Sequence, residues 1–390
     1  MDEIRSEVFH SGHARPGPWV LDMVGAPPLR HADTGIWQVF AHADVERVLT
    51  DHEHFSSEHT MDADDTNDPL SASMVLTDPP RHRQLRTLVT AAFTPRRVTT
   101  MEPRIRAIAQ ELLDAMRPAA AADFVQAFSF PLPAMVIAEL LGVPFDRRDD
   151  FRRWSDDVVT TGMTSALSER GRASAEAMGH FFFELMEQRR SEPRDDLISG
   201  LLLAEVDGRR LEVTELIGFC VLLLVAGHET TANLLNHAVW CLSEHPDAAA
   251  RLRREPALVP GAIEEVLRFR SPVFGLTRRA KAGVELAGRR IAAGDRLFAW
   301  LSAANRDPAV FADPDRFDVG RAPNRHIAFG HGVHFCLGAP LARLEAAVAL
   351  PMVLDQLPDL RLAEGEPPEE NESVVIAGFL RLPVSYTASA

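Results

Sequence analysis

Apolar positions dominate one stretch of the chain. From Glu215 to His245 a helical pattern runs unbroken, and its middle, Phe219-Cys220-Val221-Leu222-Leu223-Leu224-Val225-Ala226, is apolar on every side, which predicts a buried rod. Thr214 is the expected N-cap and Pro246 the stop. About thirty residues at about 1.5 Å each make a helix of about 45 Å, long enough to cross a whole domain. The run is too soon interrupted, by His228 and Glu229, to span a membrane.

Other patterns are shorter. Ile36 to Phe40 reads as a strand and Ala43 to Leu49 as a helix; Asp78-Pro79-Pro80 breaks the chain and starts a helix through Arg86. Glu102 to Glu205 is mostly helical, broken at Pro118 to Asp123, at Gly142-Val143-Pro144 and at Pro193. Within it, Asp149 to Glu192 carries Trp154, Met163, Phe181, Phe182 and Phe183, mostly core residues by type. Val284 to Gly288 and Arg289 to Asp295 form a hairpin-like pair, and a second hairpin closes the chain. Two acidic stretches, Met61 to Pro69 and Glu364 to Glu372, read as a surface loop and a solvated turn. The fold class is mainly α with a small β region, in one domain spanning 1–390.

Composition narrows the function classes. A formal charge of −15 argues against a general electrostatic footprint for nucleic acid. The cysteines, Cys220, Cys241 and Cys336, make no disulfide framework and no Cys-x-x-Cys-His attachment signature. The N-terminus opens on charges, with no apolar leader or anchor, so the expectation is a cytoplasmic monomer with no membrane contact.

Two places break the local rules. In Phe329-Gly330-His331-Gly332-Val333-His334-Phe335-Cys336-Leu337-Gly338 the glycines dictate a built loop, and Ala339-Pro340-Leu341-Ala342-Arg343 then turns helical. Cys336 sits at that junction, where backbone N–H groups and the helix dipole favour a thiolate, so its sulfur is a metal ligand or a nucleophile. Zinc lacks a second Cys/His cluster to complete four ligands, and no base is singled out for a nucleophile. The second place is Ala226-Gly227-His228-Glu229-Thr230-Thr231, polar residues and a glycine inside the apolar rod. A zinc-protease His-Glu-x-x-His reading fails because the fifth position is Ala232.

The cysteine loop matches Phe-Gly-x-Gly-x-His-x-Cys-x-Gly at every position, and by it the chain resembles the cytochrome P-450 family, in its soluble bacterial form. That resemblance implies a long central helix over haem b with Cys336 as the axial thiolate from the loop beneath. It implies that Phe329, Gly330 and Gly338 shape the loop and that His334, His82, Arg86 and Arg278 hold the haem propionates; Arg279 would point away from them on a strand. Ala226-Gly227-x-Glu229-Thr230 matches the family's oxygen-site signature: Ala226 and Gly227 would leave room for O₂, Thr230 would hydrogen-bond the oxygen and Glu229 would help deliver protons. A hydroxyl bonding back to its own helix is the other reading of Thr230. Glu265 and Arg268, three apart on a helix, resemble the family's Glu-x-x-Arg, with Arg316 as the expected third member and Arg321 as its rival. Val273, Phe274, Leu276, Val225 and Phe379 are the expected pocket residues, each equally able to be core.

The implied activity is oxygen-dependent monooxygenation of a small organic substrate, hydroxylation or epoxidation in secondary metabolism. Electrons would come from a separate ferredoxin and ferredoxin reductase, docking on a basic patch of Arg83, Arg97 and Arg343. A peroxide-driven haem-thiolate peroxygenase and a non-catalytic haem sensor are the alternatives. No motif names the substrate.

Overall fold

The computed structural model describes residues 3–4, 18–58, 73–147, 150–151, 153–155, 157–158, 169–206, 208–371 and 373–388. The acidic loop Met61 to Pro69 and Met163 lie outside them.

The apolar rod is one helix, Val213–Glu244, and most of its residues from Leu216 to Leu242 are buried. Its start differs from the expected N-cap. Glu212 caps it, and Glu215 reaches back to the Glu212 N–H at 3.0 Å in a reciprocal capping box, leaving Thr214 inside the first turn. Glu215 also pairs with Arg209 and Arg81, so one carboxylate fixes both the helix start and its neighbours. At the far end His245 closes the last turn onto the Cys241 carbonyl before Pro246 opens the next helix.

The rod is long and apolar enough to cross a membrane, yet it is the core helix of the domain. Helices Pro131–Leu141, Val259–Phe269 and Ala339–Gln356 pack on it, Glu102–Met116 packs on the first and last of these, and their apolar faces merge with it into one large cluster. Breaks in the helical 102–205 region fall where proline and glycine demand them: Gly142 takes a left-handed φ of +78° as the C-cap of Pro131–Leu141. Trp154, Phe181 and Phe182 are buried in the cluster; Phe183 is exposed.

The β region lies to one side. A six-stranded sheet runs in the order Glu3–Ile4, Leu29–His31, Trp37–Val39, Arg296–Trp300, Gly275–Ala280, Phe55–Ser56. Gly275–Ala280 pairs antiparallel with Arg296–Trp300, placing Arg278 opposite Leu297 and Arg279 opposite Arg296. The alternation of a strand buries Arg278 and exposes Arg279. The expected hairpin pairs Val284–Leu286 with Arg289–Ile291, turning through Ala287 and Gly288, both at positive φ. The chain end folds back as well: Phe379–Arg381 pairs with Glu369–Glu370, and Pro383–Ser385 with Ala121–Asp123.

Candidate haem site

The cysteine loop hangs between the strand Gly275–Ala280 and the helix Ala339–Gln356. Gly330 and Gly332 have φ of +70° and +72°, which a side chain would strain. A Cβ on Gly332 would lie 3.1 Å from the Thr50 Cα and 3.2 Å from the Leu49 carbonyl, so the loop packs directly on the end of helix His42–Thr50. The Phe329 carbonyl accepts the Cys336 N–H at 2.9 Å, closing the loop, and the Phe329 ring lies 4.5 Å under the Arg343 guanidinium. Gly338 has an ordinary φ, and a Cβ there would meet Cys336 Sγ at 3.9 Å, in plain contact.

Cys336 is less acidic than its helix-start position predicts. Burial raises its thiol above the ordinary value; the N–H groups of Gly338 and Ala339, with Arg86 and Arg343, pull it only part of the way back. Cys220 and Cys241 are plain core, the burial of Cys241 pushing its thiol up to about 12.

Beside the loop stands a cluster of two histidines and two arginines. His82 and Arg86, one turn apart on helix Arg81–Ala92, share a face. The His82 and His334 rings are 4.2 Å apart. Burial, then Arg86, lowers His82 to about 4; burial, then Arg278 and His82, lowers His334 to about 3. Arg278, itself lowered to about 10 by burial, donates among the described residues only to the carbonyl of its neighbour Thr277, at 2.7 Å. Asp78 is the carboxylate nearby, and it is spent on the Ser57 N–H at 2.9 Å and on Lys281 at 3.3 Å. Both ring nitrogens of His82 and Nε2 of His334 are buried with no hydrogen-bond partner among the described residues. Two neutral imidazoles with buried, unpartnered nitrogens, beside the charged guanidiniums of Arg86 and Arg278, fit an anionic ligand carrying several acceptor oxygens.

Opposite, the buried central helix opens along one face. Ala226 is exposed, and Gly227, Glu229 and Thr230 are partly so, in a stretch otherwise buried. Gly227 serves packing as well as access, since a Cβ there would come within 3.2 Å of Ile137 Cδ1. Thr230 Oγ1 donates back to the Ala226 carbonyl at 2.6 Å, the local bond that competes with a role toward oxygen. His228 turns away, hydrogen-bonded to the Phe130 carbonyl at 2.8 Å. Burial pushes the Glu229 carboxyl up to about 7, which the Asn371 amide, 3.4 Å from Oε1, only partly opposes.

Behind the loop, Glu265 and Arg268 are fully buried and paired bidentately at 2.8 and 2.9 Å. The third member is Arg321, whose Nε donates to both Glu265 oxygens at 3.1 and 3.0 Å. This corrects the expectation of Arg316, whose side chain is exposed. The turn closed by the Arg316 N–H onto Asp313, itself at a φ of +47°, faces the Arg316 carbonyl inward, where it accepts from Arg268 and Arg321.

The expected pocket residues separate. Leu276 and Val273 pack against the same buried cluster, and Leu276 Cδ1 lies 3.9 Å from where a Cβ on Gly330 would be. Phe274 is turned away from them into a different cluster with Phe40, Phe298 and Trp300. Phe379 stacks on Trp240 at 5.1 Å and meets His237 edge-on, near the far end of the central helix. These are core contacts for both phenylalanines. Val225 is buried one residue before Ala226. Sequence reasoning missed Asn371 and the Glu264–Arg343–His326 group, in which burial would raise Glu264 but Arg343 and His326 hold it at about 2. Their partners are distant in sequence, so no local spacing announces them.

A partly buried sulfur just before a helix start, a histidine–arginine cluster with unpartnered nitrogens at its edge and an opening in a buried helix make up one candidate site. The cytochrome P450 family model matches residues 32–389. Cytochrome P450 107B1 of Saccharopolyspora erythraea is 46% identical over 319 residues, covering 81% of this chain and 77% of that protein. Erythromycin C-12 hydroxylase of the same organism is 40% identical over 376 residues, 94% and 93% of the two chains. The crystal structure of substrate-free CYP109E1 from Bacillus megaterium superposes with a TM-score of 0.92 at 37% identity, over 96% of this chain and 100% of that one. The chain belongs to the cytochrome P450 family and is a monooxygenase of the bacterial type. The family implies haem with a cysteine thiolate, and the orphaned His82 and His334 nitrogens beside Arg278 fit its carboxylates.

Proposed function

We propose that this enzyme takes electrons from a separate ferredoxin and ferredoxin reductase to hydroxylate or epoxidise a small secondary metabolite. The observation that carries the site assignment is the cluster of His82, Arg86, Arg278 and His334 beside Cys336, two neutral imidazoles with unpartnered buried nitrogens among two arginines short of carboxylate partners among the described residues. In this reading Cys336 ligates the iron of haem b and these four residues hold its propionates. When bound, haem activates O₂ with the two electrons.

The chain's own residues do the rest. Val225, Val273 and Leu276 exclude water and position the substrate. Ala226 keeps its face of the central helix open. Glu229 holds a proton at a carboxyl whose acidity is tuned near neutrality, as a group that gives and regains protons must be. The Thr230 hydroxyl offers its lone pairs to that proton while its own hydrogen rests on the Ala226 carbonyl.

Electron entry belongs on the thiolate side. There Arg343 borders an apolar groove of about 340 Å³ between Val98, Ile263 and Leu344. Arg343 is paired with Glu264 at 2.7 Å and Arg97 faces Asp195 at 3.2 Å, so the attraction to an acidic ferredoxin is weaker than the arginine count alone suggests. Kinship with an erythromycin hydroxylase favours a tailoring substrate. The test is the spectrum of the purified protein, reduced and exposed to carbon monoxide, followed by titration with candidate natural products. A far-red-shifted Soret band and conversion of the ferric iron to high spin by a natural product support the proposal; turnover with peroxide alone and none with ferredoxin sinks the electron route.

A further inference from the structure

We propose that Asn371 is a positioning residue for the Glu229 carboxyl, an amide that holds the acid in one place whether or not it carries its proton. The inference rests on the proton-delivery reading of Glu229 for its consequence, and on contacts alone for its geometry.

Asn371 comes from the C-terminal hairpin, more than a hundred residues further along the chain. Its Nδ2 lies 3.4 Å from Glu229 Oε1. The two remaining atoms of the pair, Glu229 Oε2 and Asn371 Oδ1, are both buried and both without a hydrogen-bond partner among the described residues. That complementarity is specific. A neutral carboxyl has one donor and one acceptor oxygen, and a primary amide has one acceptor and a donor to match. A neutral Glu229 can thus give its Oε2 hydrogen to Asn371 Oδ1 while Oε1 accepts from Nδ2. An ionised Glu229 keeps the second bond and loses only the first.

The hairpin is fastened so that this pairing is not left to chance. Asn371 N–H donates to the Gly378 carbonyl at 3.0 Å, and the Phe379 N–H donates to Asn233 Oδ1 at 3.3 Å. Asn233 is one helical turn beyond Glu229, on the same face of the central helix. A Cβ on Gly378 would fall 2.2 Å from Asn233 Nδ2, so only glycine lets the hairpin sit this close. Asn233 in turn accepts from Asn236, whose Oδ1 accepts from Ser129 at 2.6 Å. Around the carboxyl, the neighbouring His228 faces the Phe130 carbonyl, no ionised group among the described residues offsets its burial, and Glu372, next to Asn371, lies outside them.

The test is infrared spectroscopy of the haem-loaded enzyme across pH, reading the C=O stretch of protonated carboxyls. A band that vanishes in Glu229→Gln belongs to Glu229. In Asn371→Leu, similar in size but with no polar atom, that band should move to the frequency of a carboxyl without hydrogen bonds, and its titration midpoint should rise by about one pH unit, because the lost Nδ2 bond favoured the ionised form. Turnover should fall about tenfold in kcat with KM unchanged. Asn371→Asp, which keeps the acceptor, serves if the leucine variant does not fold, and should raise the midpoint further by like-charge repulsion. A Glu229 band whose frequency and midpoint are the same in both Asn371 variants overturns the proposal. If the band responds to Asn371 while Glu229→Gln retains full turnover, the pairing stands and the proton-delivery reading falls.

Discussion

Two buried polar regions flank the cysteine loop, and they are built on opposite terms. Behind the loop, Glu265 accepts from Arg268, Arg321, Asn324 and the Asp318 N–H, and Arg268 also reaches the carbonyls of Asn305, Pro314 and Arg316. In front of it, His82 and Arg278 are buried and His334 is partly so, and the three are nearly without partners among the described residues. A charge taken out of water costs several kcal/mol unless something repays it. Protein repays it in the first region; in the second the repayment is left to a ligand. Polar burial alone therefore does not mark a site. Polar burial with unspent donors on a common edge does.

The largest effect is on the ligand side. Cys336→Ser should abolish the thiolate-type spectrum of the reduced carbon monoxide complex and all oxygen-dependent turnover; a normal band in that variant would remove the cysteine from the site. On the structural side, Arg268→Ala or Arg321→Ala leaves the buried Glu265 carboxylate short of partners, and denaturant unfolding should show a loss of about 3–5 kcal/mol for Arg268. Arg316→Ala should stay within about 0.5 kcal/mol, since only its carbonyl takes part.

The sharpest contrast comes from removing one arginine from each region. Arg278→Leu deletes a buried charge that protein does not pair, so the haem-free protein should be as stable as the parent or more stable by about 1 kcal/mol. Haem affinity should nevertheless drop about tenfold or more, measured by transfer of haem to an acceptor protein. Arg268→Ala should do the reverse, damaging the fold first. A large stability loss in haem-free Arg278→Leu would erase the distinction between the regions.

Much of this was legible in the sequence because it is local. The glycines of the cysteine loop, the helical spacing of His82 and Arg86, and the strand alternation that separates Arg278 from Arg279 each follow from backbone geometry over a few residues. What the sequence hid depends on how a turn or a hairpin brings distant segments together. Arg316 and Arg321 are both arginines of one irregular stretch, and only the turn at Asp313 decides which side chain faces Glu265. Phe274 and Phe379 carry no sign of which cluster receives them. Asn371 meets Glu229 through the closing hairpin, invisible to any motif.

Glu345 tests the same rule at its smallest scale. It follows the cysteine loop on helix Ala339–Gln356, is fully buried, and has an Oε2 with no partner, and no amide that opposes its burial as Asn371 does for Glu229, among the described residues. Burial alone raises its carboxyl to about 8 against an ordinary 4.5. Between those values the unfolded chain has lost the proton that the folded chain keeps, so the folded state binds the extra proton and stability falls as pH rises from about 4.5 to 8. Glu345→Gln removes the titration while keeping the shape. Thermal unfolding at pH 5 should therefore show little difference between the two proteins, and at pH 7.5 the glutamine variant should be more stable by about 3 kcal/mol. A variant that is instead less stable at pH 7.5 would mean that the Glu345 carboxylate has a partner in the folded protein and belongs with Glu265 among the paired groups.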